Sequence, residues 1–332
     1  MLDDETARLP AYEDVVAAAA RLEGVTRVTP LLAGTALDAI SGGRILLKVE
    51  SLQHTGSFKL RGAYNRLVQL SPAERAAGVV AFSSGNHAQG VAEAAGRLGT
   101  HAAIVMPADA PRAKVENTRA LGAEVILYDR EHESREEIAA RLAAERGAVL
   151  VPSFDDPHII AGQGTVGLEL MTQALALGSP PDDVLVCCSG GGLVSGCALA
   201  VKQLSPATRV FTVEPEAFDD ARRSLEAGRR VANDPGGRSI CDALLAPSPG
   251  ELTFPIMRRL LAGGLTVSDA DVRRAMAFAF HKLRLVVEPG GAVALAAVLG
   301  ERIGCRGRTV AVVVSGGNVD ASLYREVLTE AG

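Results

Sequence analysis

The feature that most constrains this chain is an alternation of two patterns. Short apolar runs recur between longer, alanine-rich stretches of helical period. The runs at 45–50, 78–82, 102–106, 124–128, 184–188, 209–213 and 309–314 are rich in Val, Ile and Leu. Helical spacing covers 12–22, 58–69, 86–98, 112–121, 133–146, 163–177, 193–203, 269–283 and 320–330. A strand that is apolar along nearly its whole length is covered on both faces, and strands joined through helices run parallel. The pattern predicts an α/β protein with parallel sheets. The length and strand number predict two α/β lobes with a cleft between them, and 151–158 reads as a crossing between lobes. Residues 230–250 read as a long loop. In such folds ligands sit at the carboxyl ends of strands and at helix N-termini.

Composition removes several classes of function. With 48% hydrophobic and 22% charged residues the chain is neither disordered nor fibrous. A net charge of −5 without a basic stripe argues against a nucleic-acid partner. No apolar run reaches the roughly 20 residues of a membrane span. The acidic, polar start MLDDETARLP does not read as a secretory signal, so a cytoplasmic protein is expected. The five cysteines are odd in number and form no C-x-x-C pair, so they read as small buried hydrophobes. Only five lysines stand among 34 basic residues, which shortens the search for a reactive amine.

Four motifs follow strand candidates. In Ser51-Leu-Gln-His-Thr-Gly-Ser-Phe-Lys59-Leu-Arg-Gly62, a turn at Gly56 enters a helix that Ser57 is placed to cap. Lys59 then lies in the first turn, where the positive end of the dipole disfavours an ammonium and favours an amine nucleophile. A surface lysine is the plainer alternative. In Phe82-Ser83-Ser84-Gly85-Asn86-His87-Ala88-Gln89-Gly90, hydroxyls, an amide and free N–H groups make a cradle for a carboxylate, or simply a well-capped helix. His87 reads as a structural residue ahead of a general base. Cys188-Ser189-Gly190-Gly191-Gly192-Leu193 lets backbone amides approach a phosphate, or lets a helix pack tightly on a sheet. It lacks both the dinucleotide and the nucleoside-triphosphate signatures. Val312-Val-Val-Ser315-Gly-Gly-Asn318-Val-Asp320 offers a hydroxyl at a strand tip, or a capping turn. Together the four supply an activated lysine, two anion cradles and a hydroxyl for a ring nitrogen. Pyridoxal 5'-phosphate acting on an amino-acid substrate needs that set.

In this order, S-F-K-L-R-G-A, S-S-G-N-H-A-Q-G, S-G-G-G-L and S-G-G-N resemble the fold type II pyridoxal-phosphate enzymes (tryptophan synthase β-like). The nearest group is the serine/threonine dehydratases with serine racemase, and the resemblance runs from about residue 25 to 325. It implies a large cofactor-binding domain of residues 1–75 and 154–332, a small domain of 76–153, and a homodimer. Lys59 would carry the cofactor as a Schiff base and remove the substrate's Cα proton, with Phe58 beside the ring. Asn86 would bind the cofactor's 3′-oxygen, and Gly190, Gly191, Gly192 and Leu193 its phosphate. Ser315 would meet the pyridine nitrogen. Ser84, Gly85, Asn86 and His87 would surround the substrate carboxylate.

The implied reaction is dehydration and deamination of L-threonine or L-serine to a 2-oxo acid and ammonia. A 3-hydroxyaspartate is the alternative substrate, because one pocket arginine would suffice. Amino-acid racemisation is the alternative reaction. In racemase relatives a Ser at the position of Ser84 is the second base, whereas many dehydratases carry Ala there. Glu214-Pro-Glu-Ala-Phe218-Asp-Asp220 resembles the cation site of the racemases, with carboxylates from Glu214 and Asp220 and the carbonyl of Phe218. Mg²⁺ is implied there, with Ca²⁺ or Mn²⁺ in its place. Where the family often reads A-D-G, this chain has Cys241-Asp242-Ala243, which leaves the side-chain pocket undefined.

Overall fold

The structure is a computed structural model that describes residues 8–330 except residue 111. Most of the acidic chain start discussed above lies outside the described residues. The strands are β1 Leu31–Leu32, β2 Arg44–Val49, β3 Val79–Phe82, β4 Ala102–Pro107, β5 Glu124–Tyr128, β6 Val149–Leu150, β7 Asp183–Cys187, β8 Arg209–Pro215, β9 Gly263–Val267 and β10 Thr309–Val314. They form a six-stranded sheet of order β1-β2-β10-β7-β8-β9 and a four-stranded sheet of order β5-β4-β3-β6. Every pairing is parallel except β1 with β2. All seven apolar runs are strands. Those of β2, β7 and β10 are almost wholly buried, which is why they show no alternation.

Register brings three of the motifs to one edge. Val314 pairs with Val49, and Val312 pairs with Leu185. The chain therefore leaves β2, β10 and β7 at one level, toward Lys59, Ser315 and the glycine loop respectively. The fourth motif leaves β3 of the other sheet.

The glycines are placed where helices touch. The helix Pro157–Ala176 lies against both Lys59–Leu67 and Gly192–Leu204. A Cβ on Gly162 would fall 2.5 Å from the Arg61 carbonyl oxygen, and one on Gly196 would fall 2.2 Å from that of Ile160. Only hydrogen fits at either crossing. Beside the first crossing, Arg61 is fully buried and forked between two carboxylates. It donates to Glu50 at 2.8 and 2.9 Å and to Glu169 at 2.7 and 2.9 Å. Lys48, also buried, donates to Glu169 at 2.7 Å. Two cations thus balance two anions inside the protein, which is the condition under which buried charge is tolerated.

The sequence pattern misses some elements for identifiable reasons. The helix Pro289–Leu299 is buried along nearly all its length, so it has no polar face to reveal a period. Strand β9 starts with two glycines and is only half-buried. The helix read from 163 starts at Pro157, because Asp156 caps it by accepting from His158 and Ile159 and proline occupies its first position. The loop 230–250 contains one short turn of 3₁₀ helix, Asp242–Leu244. All five cysteines are free and buried.

Candidate active site

The strand ends and helix starts enclose a cavity of about 360 Å³. Every residue expected to hold cofactor or substrate lines it: Phe58, Lys59, Ser84, Gly85, Asn86, His87, Gly190, Gly191, Gly192, Leu193 and Ser315. The three cation-site residues Glu214, Phe218 and Asp220 do not.

Four of the helices that line this cavity begin without side-chain caps. Elsewhere Thr35, Ser71, Ser134, Asp156 and Ser268 cap their helices. Asp155 and Glu214 cap two more from a distance through their carboxylates. The helices Lys59–Leu67, Asn86–Leu98, Gly192–Leu204 and Pro289–Leu299 start with Phe58, Gly85, Gly191 and Glu288 and have no side-chain cap. The first amides of an α-helix find no acceptor within it, so these ends offer donors and positive potential to a ligand. Gly191 has φ +96, a conformation glycine adopts without strain.

The serine expected to cap the lysine helix serves another purpose. Ser57 does not cap the lysine helix, and its Oγ has no partner. Its backbone instead bridges to Gly316, and the Phe58 N–H donates to the Ser315 carbonyl at 3.2 Å. The lysine motif and the serine motif are thereby stitched together, which fixes Lys59 relative to Ser315.

Lys59 is the lysine whose amine faces the cavity without a carboxylate partner. Lys48 is bound to Glu169, Lys114 to Asp242, and Lys202 to backbone carbonyls. The Lys59 ammonium donates to the Ser153 carbonyl at 3.0 Å and lies 5.1 Å from the Phe58 ring centroid. Burial lowers its pKa from 10.5 to about 8, outweighing the nearby Cys187 and Glu288.

The neighbours form a connected network. Asn86 donates to Glu288 at 2.6 Å and accepts from Asn318 at 2.7 Å, and Asn318 also donates to the Thr55 carbonyl. This leaves Asn86 one amide hydrogen for a ligand. Burial pushes the Glu288 carboxyl up to about 8. His87 donates from Nε2 to the Val151 carbonyl at 3.0 Å, and burial, helped by the Lys59 charge, holds its pKa down to about 3. The imidazole is therefore neutral and anchored. The Cys187 thiol donates to Ser315 Oγ at 3.2 Å.

Residues outside the motifs also reach the cavity. Lys114 and Arg135 line it, and Lys114 is joined to Asp242 at 2.6 Å. Nothing in the sequence marks them, because each is one basic residue on a surface helix. Asn318, in the strand-tip motif, lines the cavity as well.

These residues suit pyridoxal phosphate. An amine of lowered basicity faces the cavity, and a glycine loop with uncapped amides lies at its wall. At Gly190 a side chain would collide with Phe154, its Cβ lying 2.3 Å from the ring. Residues 22–316 match the pyridoxal-phosphate dependent enzymes, and the chain belongs to that family. It is 46% identical to an L-threo-3-hydroxyaspartate ammonia-lyase of a Pseudomonas species, over 97% of this chain and 99% of that protein. A solved threonine deaminase from T.th. superposes with a TM-score of 0.88 at 49% identity, covering 94% of this chain and 99% of that one. Maize serine racemase superposes with a TM-score of 0.91 at 37% identity, covering 98% of each chain. The architecture is thus fold type II, as the sequence resemblance implied. Among the described residues no helix is long and apolar enough to cross a membrane.

Proposed function

We propose that this protein is an ammonia-lyase that removes water from a β-hydroxy amino acid and yields a 2-oxo acid and ammonia. The observation that carries this reading is the Lys59 amine, facing a cavity ringed by uncapped helix starts, with its pKa brought to about 8. When bound, pyridoxal phosphate supplies the electron-withdrawing ring that stabilises charge at the substrate's α-carbon. Lys59 Nζ, in its neutral form, takes the Cα proton. The uncapped amides after Gly85, with Ser84, receive the α-carboxylate. Asn86 is held in one rotamer by Glu288 and Asn318 and presents its remaining N–H to the ring's oxygen. The backbone of 190–193 holds the phosphate. Ser315 would meet the ring nitrogen with a hydroxyl rather than a carboxylate, which would keep the ring's withdrawal of charge moderate.

Two further cations, Lys114 and Arg135, line the cavity, each held by a carboxylate of the same wall, Asp242 at 2.6 Å and Glu136 at 2.8 Å, and a substrate's second carboxylate would be taken by exchange with one of these partners. A 3-hydroxyaspartate fits that demand, and the Pseudomonas relative is named for it. Threonine and serine place no charge there. Ser84 faces the same cavity, so amino-acid racemisation, the activity named for the maize relative, is the second reaction read from this site.

Glu214 and Asp220 are part of the same proposal as ligands for Mg²⁺, with Ca²⁺ or Mn²⁺ as substitutes and the Phe218 carbonyl completing the set. Both acids are buried, and Asp220 Oδ2 has no partner. Among the described residues no three His, Cys, Asp or Glu side chains converge, so any cation here relies on backbone and water oxygens as well. Thermal stabilisation by Mg²⁺ that disappears in Asp220→Asn supports this site, and stabilisation that persists refutes it. A homodimer completes the reading and is checked by light scattering.

The deciding assay measures 2-oxo acid release from L-threonine, L-serine and the 3-hydroxyaspartate stereoisomers, with D-product followed in parallel. Release from 3-hydroxyaspartate above the others is the expected result. D-product without 2-oxo acid overturns the lyase reading.

A further inference from the structure

Gln163 is a buried side chain with no role in the proposal above. It lies on the helix Pro157–Ala176, is 1% exposed, and lines the cavity. Neither its Oε1 nor its Nε2 has a hydrogen-bond partner. Burying both ends of an amide unpaired costs free energy that an apolar residue at this position would not incur. Such a penalty marks a group that a ligand completes.

Its position identifies the ligand's end. A Cβ on Gly192 would lie 2.8 Å from Gln163 Oε1, and one on Gly62 would lie 3.1 Å from Nε2. The amide therefore sits between the lysine helix and the first residue of the glycine-loop helix, whose opening amides have no side-chain cap. An anion at this helix start meets neutral donors, and a glutamine adds one more without adding charge. Because an amide both donates and accepts, it matches a phosphate monoester in either ionisation state near neutral pH.

We propose that Gln163 is a phosphate-holding residue: with no bond to break, its amide turns about the last torsion so that Nε2 replaces Oε1 on the Gly192 side and donates to the cofactor's phosphate beside the amides of Gly190–Leu193. The proposal rests on the cofactor reading, and the test separates the two. The apoenzyme is titrated spectroscopically with pyridoxal phosphate and with pyridoxal, which carries the same aldehyde and ring without the phosphate. Inorganic phosphate is titrated separately by its effect on Tm. A hydrogen bond to a charged group predicts that Gln163→Leu weakens pyridoxal phosphate binding by about tenfold or more. Pyridoxal binding should stay within about twofold, and the Tm rise with inorganic phosphate should shrink. Gln163→Glu places a carboxylate against the phosphate and should lose at least as much. Gln163→Met provides the apolar variant should leucine fail to fold. Equal losses for pyridoxal phosphate and pyridoxal, or no loss for either, overturn the proposal. A wild-type apoenzyme that binds no pyridoxal phosphate overturns the cofactor reading and this proposal with it.

Discussion

Replacing Lys59 by methionine should make the apoenzyme more stable at neutral pH while abolishing turnover. The Lys59 pKa falls from 10.5 in the unfolded chain to about 8 in the fold. Each tenfold change in proton affinity is worth about 1.4 kcal/mol, so this burial costs the native state about 3 kcal/mol at pH 7. The sign follows from proton binding. Between pH 8 and 10.5 the unfolded chain holds the proton and the folded one does not, so wild-type stability rises across that window. The cost is fully present below pH 8 and has fallen below about 1 kcal/mol by pH 10. Methionine fills similar space without charge but loses the bond to the Ser153 carbonyl, a penalty of about 1 kcal/mol. The net expectation is a gain of about 2 kcal/mol at pH 7 and almost none at pH 10. Urea denaturation of both apoenzymes at the two pH values measures it. A difference that does not change with pH, or a less stable variant at pH 7, refutes the claim that desolvation sets the basicity of this amine.

Three other expectations follow from the same geometry. Arg61→Ala leaves Glu50 buried without its partner and should destabilise the protein by about 3–5 kcal/mol in urea melts, whereas replacing Arg61 and Glu50 together by apolar residues should cost much less. Ser84→Ala should suppress any D-product formation by roughly a hundredfold or more and leave 2-oxo acid release within a few-fold, as expected for loss of a general base; parallel loss of both activities argues against a separate base. Glu288→Gln keeps the acceptor for Asn86 and removes a carboxyl that titrates near 8 in the fold. Folded Glu288 retains its proton above the range where the unfolded one loses it, so wild-type apoenzyme should lose stability as pH rises from about 4.5 to 8. The variant should lose less, as read from denaturant midpoints at pH 5 and 8.

The sheets were legible because a strand buried on both faces leaves no polar residue to disguise it. The motifs were legible because each follows such a strand and concentrates glycine, serine and asparagine at one helix start. What escaped was set by tertiary partners. Ser57 has the local chemistry of a cap, but pairing with Gly316 turns its backbone to another task. Arg61 looks like a surface residue two positions after the lysine until Glu50 folds back from the end of β2 and Glu169 arrives from a distant helix. Lys114 and Arg135 reach the cavity only because two sheets come together around it. Gln163 carries no local mark, since its significance is the absence of any partner.

The crossings at Gly162 and Gly196 have a further consequence. With no side chain between the helices, nothing soft separates the turn that carries Lys59 from the loop that ends at Gly192. The amine and the glycine loop are therefore held like the jaws of a fixed calliper. A ligand that must reach both, as proposed above for pyridoxal phosphate, is then sorted by the distance between its two ends. That distance is set by the glycines at the crossings, where the first carbon of any side chain would push the helices apart.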